Sequence, residues 1–231
     1  MPRNYRSVLA VLYDIHGNLP ALEAVLGDAR GQGARAFLLG GDIVGFGPFP
    51  RETYELLRVL DEPTIWIRGN GERWMREPPL DRPEIMARVK EQAQALFSEE
   101  EIELLYRLPA RAEVDGNVYV HGCYWSDTDS FAREPQDADG LRVGPMHGRT
   151  LVFGHSHLQF RRPGPNDTDL VNPGSAGMPL DGDARAAWAS WDGADFTFHR
   201  AEYDVEQVVT AARSLGEWGD LMIHRYKNAS D

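Results

Sequence analysis

Five apolar runs in this chain each stop at a residue that can bind a metal. VLAVLY leads to Asp14 and His16, AFLLGG to Asp42, and TIWIRG to Asn70, while NVYV leads to His121 and TLVFG to His155 and His157. An apolar strand that ends on Asp, Asn or His carries a polar side chain to one edge of a sheet. In open α/β folds that edge, beyond the carboxyl ends of the strands, is where ligands bind. One such ending carries little information. Five together require a fold that brings five strand ends to one place.

The periodicity of the apolar residues says how the strands are connected. Residues 7–13 read as a buried strand, and 19–30 as an amphipathic helix with Leu19, Leu22, Val25 and Leu26 on one face. A second strand is expected over 36–39, a helix over 53–60 and a third strand over 63–67, with a Gly/Pro loop at 45–50. This β-α-β-α-β alternation is the pattern of a sheet covered by helices. Residues 72–83, rich in Arg, Glu and Pro, are expected to form an exposed loop. A helical stretch over 84–107 follows, split at Ser98, an N-cap residue. After Pro109 the pattern turns to strands. Hairpins are expected around Asp115-Gly116 and around residues 192–195, with TLVFG, LQFRR and DLVN between them. These later strands are expected to form a second sheet packed on the first, before a last helix over 203–218 and a frayed end. With no linker, repeat or low-complexity tract, residues 1–231 read as a single domain.

Charge and cysteine content narrow the function classes. The formal charge is −12, from 24 Lys and Arg against 36 Asp and Glu. Binding to a nucleic-acid polymer, which relies on clustered Lys and Arg, is disfavoured. An acidic chain can still take an anionic substrate where metal ions reverse the local sign. No apolar stretch approaches the roughly 20 residues of a membrane span, and the N-terminal run lacks the cleavage site of a signal peptide. Cys123 is the single cysteine. It excludes an internal disulfide and a thiolate metal cluster, and it fits a reducing, cytoplasmic setting.

In their order the ligand-type residues resemble the calcineurin-like metallophosphoesterase superfamily, whose pattern is D-x-H, G-D, G-N-H-[DE], an isolated H, and G-H-x-H. The matches are Asp14 and His16, Gly41-Asp42, Gly69-Asn70, His121, and Gly154-His155-Ser156-His157. The segment VNPGSAGMP at 171–179 is similar to one in the smaller bacterial and archaeal phosphodiesterase-like branch. The resemblance implies a four-layer α-β-β-α sandwich of two mixed β-sheets flanked by helices, with two divalent metal ions at the sheet edge. Carried over, Asp14, His16 and His157 would hold one ion, Asn70, His121 and His155 the other, and Asp42 would bridge them. The donors are oxygen and nitrogen, which suits Mn, the expected ion, or Fe, Ni, Co or Zn.

Such a centre would stay net positive after Asp14, Asp42 and a bridging hydroxide are counted. It would draw in a phosphate and supply an in-line nucleophile, with Asn70 and His121 steadying the phosphate. The expected activity is therefore hydrolysis of a small phosphoester, a diester in the first instance, by a protein that can also be a homo-oligomer. A phosphomonoesterase or protein phosphatase, and a non-catalytic scaffold of the same fold, are the alternatives.

The pattern is broken at one place: G-N-H-[DE] reads Gly69-Asn70-Gly71-Glu72. The missing histidine is the residue usually assigned to protonate the leaving group, a contribution of about 10²–10⁴-fold. Arg73 and His147 are the candidates for contact with substrate, His147 as a substitute acid. Asn18 reads as a helix cap, Cys123 as a small packing residue, His199 and His224 as surface residues, and Trp66, Trp74, Trp125, Trp188 and Trp191 as packing.

Overall fold

The computed structural model describes residues 8–77 and 83–231. Its first strand, β1 (Val8–Leu12), is apolar at every position because both of its faces are covered. Leu9, Val11 and Tyr13 pack into a core with residues of the second sheet, including Tyr119, Val152 and Val171. Ala10 and Leu12 point the other way, into a core with Leu22, Val25 and Leu26 of the first helix. Alternation along one strand thus divides two cores.

β1 pairs in parallel with β2 (Ala34–Leu39), and β2 with β3 (Thr64–Trp66). The crossovers are α1 (Leu19–Gly31) and α2 (Pro50–Arg58). Asn18 caps α1 by accepting from the Ala21 N–H at 3.2 Å. α2 starts at Pro50, earlier than periodicity suggested, because a proline is well suited to a first helical turn. A short α3 (Asn70–Trp74) replaces the start of the expected loop, and residues 78–82 of that loop lie outside the described residues. α4 (Pro83–Leu96) and α5 (Glu99–Tyr106) are divided at Ser98, whose hydroxyl accepts from the Glu101 N–H.

The second sheet has the order β4-β5-β6-β8-β7, with β4 (Arg111–Val114), β5 (Asn117–Val120), β6 (Thr150–Val152), β7 (Gln159–Pro163) and β8 (Asp169–Pro173). Here β5, β6 and β8 run in parallel, and β4 and β7 close the edges antiparallel. Its outer face packs on Phe131, Val143 and Met146 around the short α6 (Asp139–Arg142). The hairpin of β9 (Ala186–Trp191) and β10 (Phe196–Ala201) does not join this sheet, as position in the chain suggested. It pairs antiparallel with β1, so the first sheet has the order β10-β9-β1-β2-β3. Trp188 on β9 explains the choice: it is fully buried against the α1 side and donates through Nε1 to Asp28 of α1 at 2.9 Å. The expected last helix is two: α7 (Val205–Ala212) and α8 (Glu217–Asn228), separated near Gly216 with φ 64°. The end is not frayed, since Met222 and Tyr226 are buried against Val208 and Val209.

Tyr13 ties the two sheets together just before the first ligand-type residue. Its hydroxyl donates to the carbonyl of Val152 on β6 at 3.1 Å. Its ring is packed so closely that a Cβ at Gly40 would lie 2.1 Å from it, and one at Gly154 2.5 Å. Overpacking a filled core costs about 1–3 kcal/mol. Gly40→Ala is therefore expected to lower unfolding free energy by at least that much in urea titration. Gly27→Ala, in α1 with open space around it, should raise it by up to about 1 kcal/mol. Equal effects of the two would contradict the seam.

Candidate metal centre

Parallel strands of both sheets run toward one edge. β1 delivers Asp14 and His16, β2 Asp42, β3 Asn70, β5 His121, and β6 His155 and His157. The sixth parallel strand, β8, delivers the segment after Asn172. The turns there are held by backbone bonds from one loop to the next. Asp14 and His16 N–H donate to the carbonyls of Gly41 and Asp42 at 3.1 and 2.9 Å, and Gly154 N–H donates to that of His121 at 2.7 Å. Asp14, His16, Asp42, His155 and His157 all have φ between 50° and 65°. Residues other than glycine adopt this left-handed region at a cost of about 1–3 kcal/mol each. Five such residues in one cleft show that the side chains are what the site requires.

Two groups of donor atoms result, each with all atoms within 4.8 Å of one another: Asp14, His16 and His157, and Asp42, His121 and His155. His16 Nε2 and His157 Nε2 lie 3.0 Å apart. His16 Nδ1 faces the Gly45 carbonyl at 3.2 Å, His157 Nδ1 that of Met178 at 2.7 Å, and His121 Nδ1 that of Gly40 at 2.9 Å. A carbonyl fixes the proton on Nδ1 and leaves Nε2 a lone pair directed into the cleft. Asp14 Oδ1 faces these lone pairs, 3.4 Å from His157 Nε2 and 3.8 Å from those of His16 and His121. It is buried and has no hydrogen-bond partner. The other oxygen, Oδ2, accepts from the His155 N–H at 2.9 Å.

Asp42 reaches both groups, Oδ1 lying 3.5 Å from His121 Nε2 and Oδ2 3.9 Å from His16 Nε2. Asn70 Oδ1 lies 3.1 Å from His121 Nε2. With His121 neutral and its proton on Nδ1 this sets acceptor against acceptor, and a reversed amide would instead donate to His121 and His155. With a cation between them the carbonyl orientation is the satisfied one. Converging lone pairs and an orphaned buried carboxylate oxygen fit divalent cations. The seven sequence candidates are thus brought together.

The electrostatics agree. Burial, reinforced by the neighbouring His157, lowers His16 to about 3. Burial and the nearby His121 lower His155 to about 4, so both rings are neutral at pH 7. Burial pushes Asp42 up to about 7, helped by Glu72 and Asp14 against the pull of His121. Burial also raises the cost of charge on Asp14, but His157, His121 and His16 outweigh it and hold Asp14 below the usual carboxylate range. At His121 burial opposes the proton, yet Asp42 and Asp14 prevail and the ring sits above its ordinary value.

Three supporting groups fell outside the sequence candidates. Glu72, placed in an exposed loop by composition, is fully buried in α3. Its carboxylate accepts from the N–H groups of Asp42, Ile43 and Gly69 at 2.9, 2.7 and 2.9 Å, binding two ligand loops together. The acidic residue that ends the G-N-x-[DE] pattern was its one signal. Ser175 donates to the Asp14 carbonyl and accepts from the Met178 N–H, both at 2.7 Å. Asn172 accepts from the Gly174 N–H at 2.9 Å.

Of the two candidates for substrate contact, Arg73 stands beside the centre and His147 does not. Arg73 lines a cavity with His121, but its guanidinium is bound to both oxygens of Asp127 at 2.7 Å. His147 is exposed in the turn before β6, at the opposite end of that strand from the cleft, and so stands away from it. Trp125 is 71 % exposed rather than packed. His199 is half-buried, stacked on Trp188 and bonded to Ser190 at 2.8 Å, while His224 is exposed. Cys123 is buried. No helix among the described residues is long and apolar enough to cross a membrane.

Residues 9–208 match the family model described as calcineurin-like phosphoesterase. The chain is 29 % identical to the uncharacterised protein MJ0912 of Methanocaldococcus jannaschii, over 92 % of this chain and 96 % of that protein. A metallophosphoesterase of Sphaerobacter thermophilus superposes with a TM-score of 0.80 at 28 % identity, covering 96 % of this chain and 99 % of its own. The hypothetical protein PH1004 of Pyrococcus horikoshii OT3 shares the fold, with a TM-score of 0.80 at 24 % identity over 95 % and 98 % of the two chains.

Two measurements test the centre. Glu72→Gln keeps the volume but replaces one acceptor oxygen by a donor, facing it toward an N–H. It is expected to cost about 1–3 kcal/mol of stability and about 10–100-fold in metal affinity, read by urea titration and calorimetry. Unchanged metal affinity would remove Glu72 from its supporting role. The second measurement is proton release. Below their raised values, Asp42 and His121 hold protons that a cation must displace. Metal affinity should therefore rise from pH 6 to pH 8. Titrations at pH 7 in buffers of different ionisation enthalpy should show protons released, with less release at pH 9.

Proposed function

The chain belongs to the calcineurin-like phosphoesterase family, and from that membership we propose that it is a dinuclear-metal phosphodiesterase acting on a small phosphoester. The observation that carries the reading is the pair of facing donor groups with Asp42 between them. Two divalent ions bound there would supply Lewis-acid charge and an activated water for in-line attack at phosphorus, as in paired-metal hydrolases. Manganese is the proposed ion, because the donors are oxygen and neutral imidazole nitrogen with no thiolate.

The chain's own residues would do the rest. Asp14, His16 and His157 would hold one ion and Asn70, His121 and His155 the other, with Asp42 common to both. Asn70 and His121 stand side by side, 3.1 Å apart and buried, where an amide and an imidazole can orient a phosphoryl oxygen. Glu72 and Ser175 fix the loops that present these groups. The preference for diesters rests on Gly71: no side chain there donates a proton to the departing group. A monoesterase acting on poor leaving groups would need that donor most. The proposed setting is the cytoplasm, consistent with a lone buried thiol.

Purified protein loaded with Mn²⁺ is expected to hydrolyse bis(p-nitrophenyl) phosphate faster than p-nitrophenyl phosphate. Asp42→Ala should lower the diester rate by at least about 10²-fold. Metal-dependent turnover that survives Asp42→Ala would overturn the assignment. Stoichiometric metal binding without turnover of any phosphoester would favour a scaffold.

A further inference from the structure

The cleft over the metal-ligand residues has a second wall that the chemistry above does not use. Its volume is about 390 Å³, at the small end of the range for small-molecule sites. Beside His16, Asp42 and His157 it is lined by Phe46, Trp74 and Trp218. Phe46 stands at the centre of this wall. Its ring meets His16 edge-on at 5.4 Å, Trp74 edge-on at 6.2 Å and Trp218 at 5.9 Å between centroids.

Phe46 is held where it is against a backbone preference. Its φ is 79°, in the left-handed region, and it lies between Gly45 and Gly47 in a loop where glycine would have been the unstrained choice. The conformation is secured from both sides of the wall. The Phe46 carbonyl accepts from Trp218 Nε1 at 3.3 Å, its N–H donates to Gln92 Oε1 at 3.4 Å, and Gln92 Nε2 donates to the Gly47 carbonyl at 3.1 Å. A strained position at a site edge, kept with a large side chain, is a reason to look for what that side chain does.

Position 71 supplies the second observation. A Cβ at Gly71 would lie 3.0 Å from Asp42 Oδ1 and 3.6 Å from Phe46 Cε2. The polar side chain absent at 71 and the aromatic ring present at 46 therefore border the same corner. That corner presents an apolar face and, at position 71, no side-chain proton donor. Arg225, also in the cleft, is bound to Asp231 at 2.5 Å, which leaves the aromatic side chains to define the contact.

We propose that Phe46, Trp74 and Trp218 form a slot that binds a planar, uncharged aromatic ring carried by the substrate phosphoester, and so set its specificity. This rests on the phosphoester reading of the metal centre. Phe46 already meets Trp74 and Trp218 at the 4.5–7 Å that aromatic rings prefer, and all three line the cleft, where a substrate ring would join them. A cleft of about 390 Å³ accommodates a phosphate and a ring system. The slot selects by stacking, which tolerates different ring identities.

The test uses the full chain loaded with Mn²⁺ and two non-hydrolysed probes, phenylphosphonate and methylphosphonate, measured by calorimetry. Both share the anionic group, so the ratio of their affinities isolates the ring. Wild type is expected to favour phenylphosphonate by about tenfold. Phe46→Gly removes the ring and also relieves the strained φ, so the backbone is expected to tolerate it. Trp218→Leu keeps an apolar side chain on α8. In both variants the ratio should fall toward one. Equal affinity of wild type for the two probes overturns the slot and leaves the phosphoester reading standing. Failure of both phosphonates to bind the metal-loaded protein overturns that reading and the slot with it. A preference that persists in both variants also overturns the slot. Adenosine 5′-monophosphate competing as strongly as phenylphosphonate assigns the ring to a nucleobase. Its failure beside a bound phenylphosphonate assigns the slot to a ring attached directly at phosphorus.

Discussion

Two carboxylates buried among four imidazoles are the constraint on which this molecule is organised. Asp14 and Asp42 are 0 % and 3 % exposed, and a carboxylate so placed is costly unless something compensates its charge. The protein supplies only part of that. Asp14 Oδ2 has the His155 amide and Asp42 Oδ1 has the Gly71 amide at 2.6 Å. The remaining oxygens face histidine nitrogens whose protons are directed away by backbone carbonyls. Protons on Asp42 and His121 can offset part of this charge, and a cation entering the middle would take their place. Metal binding is therefore part of the electrostatic balance of the fold and not an addition to a finished structure.

That requirement explains the backbone. To converge on one space, side chains from two sheets must leave their strands abruptly, and the left-handed conformation at Asp14, His16, Asp42, His155 and His157 achieves this. Strain of this kind persists only where surroundings over-determine it. Glu72 binds the β2 and β3 loops, and the segment after β8 binds the β1 loop through Ser175 and the Ala176 and Gly177 N–H groups. Tyr13 fixes the distance between the sheets at the base of the cleft. The six parallel strand ends thus act as one frame, and loss of one tie loosens ligands on neighbouring strands.

Much of this was legible in the sequence for a simple reason. A strand buried on both faces is written as an apolar run, and a polar residue ending it is visible without any structure. Five of the six parallel strands announced themselves in this way, and with them all seven donor residues. The sixth, β8, ends on Asn172 and Ser175, which work through backbone contacts and carry no metal-ligand signature. Glu72 was hidden because a lone glutamate among Arg and Pro reads as solvated, and only its three backbone donors show that it is not. The β9-β10 hairpin was misplaced because the alternation that marks a strand says nothing about which sheet it joins. That choice lay in Trp188 and its bond to Asp28, some 160 residues away in the chain. His147 was misjudged from nearness in sequence to β6, when the direction of the strand puts it at the far end.

Gly71 joins the metal chemistry to substrate choice. Its N–H is committed to Asp42 Oδ1 at 2.6 Å, and a side chain there would begin 3.0 Å from that same oxygen. The small residue lets the backbone itself steady the shared carboxylate, at the expense of a proton donor in that corner. Among the described residues lining the cleft, the remaining cationic group is Arg225, tied to Asp231. In the proposed reaction a departing group would have to carry its own stability as an anion or take a proton from solvent. On the proposed reading, aryl or otherwise acidic leaving groups suffer least from this absence. An aromatic slot beside the same corner favours the substituents that also make such leaving groups. Gly71 and the strained Phe46, distant in sequence, thus border one corner that only the fold brings together.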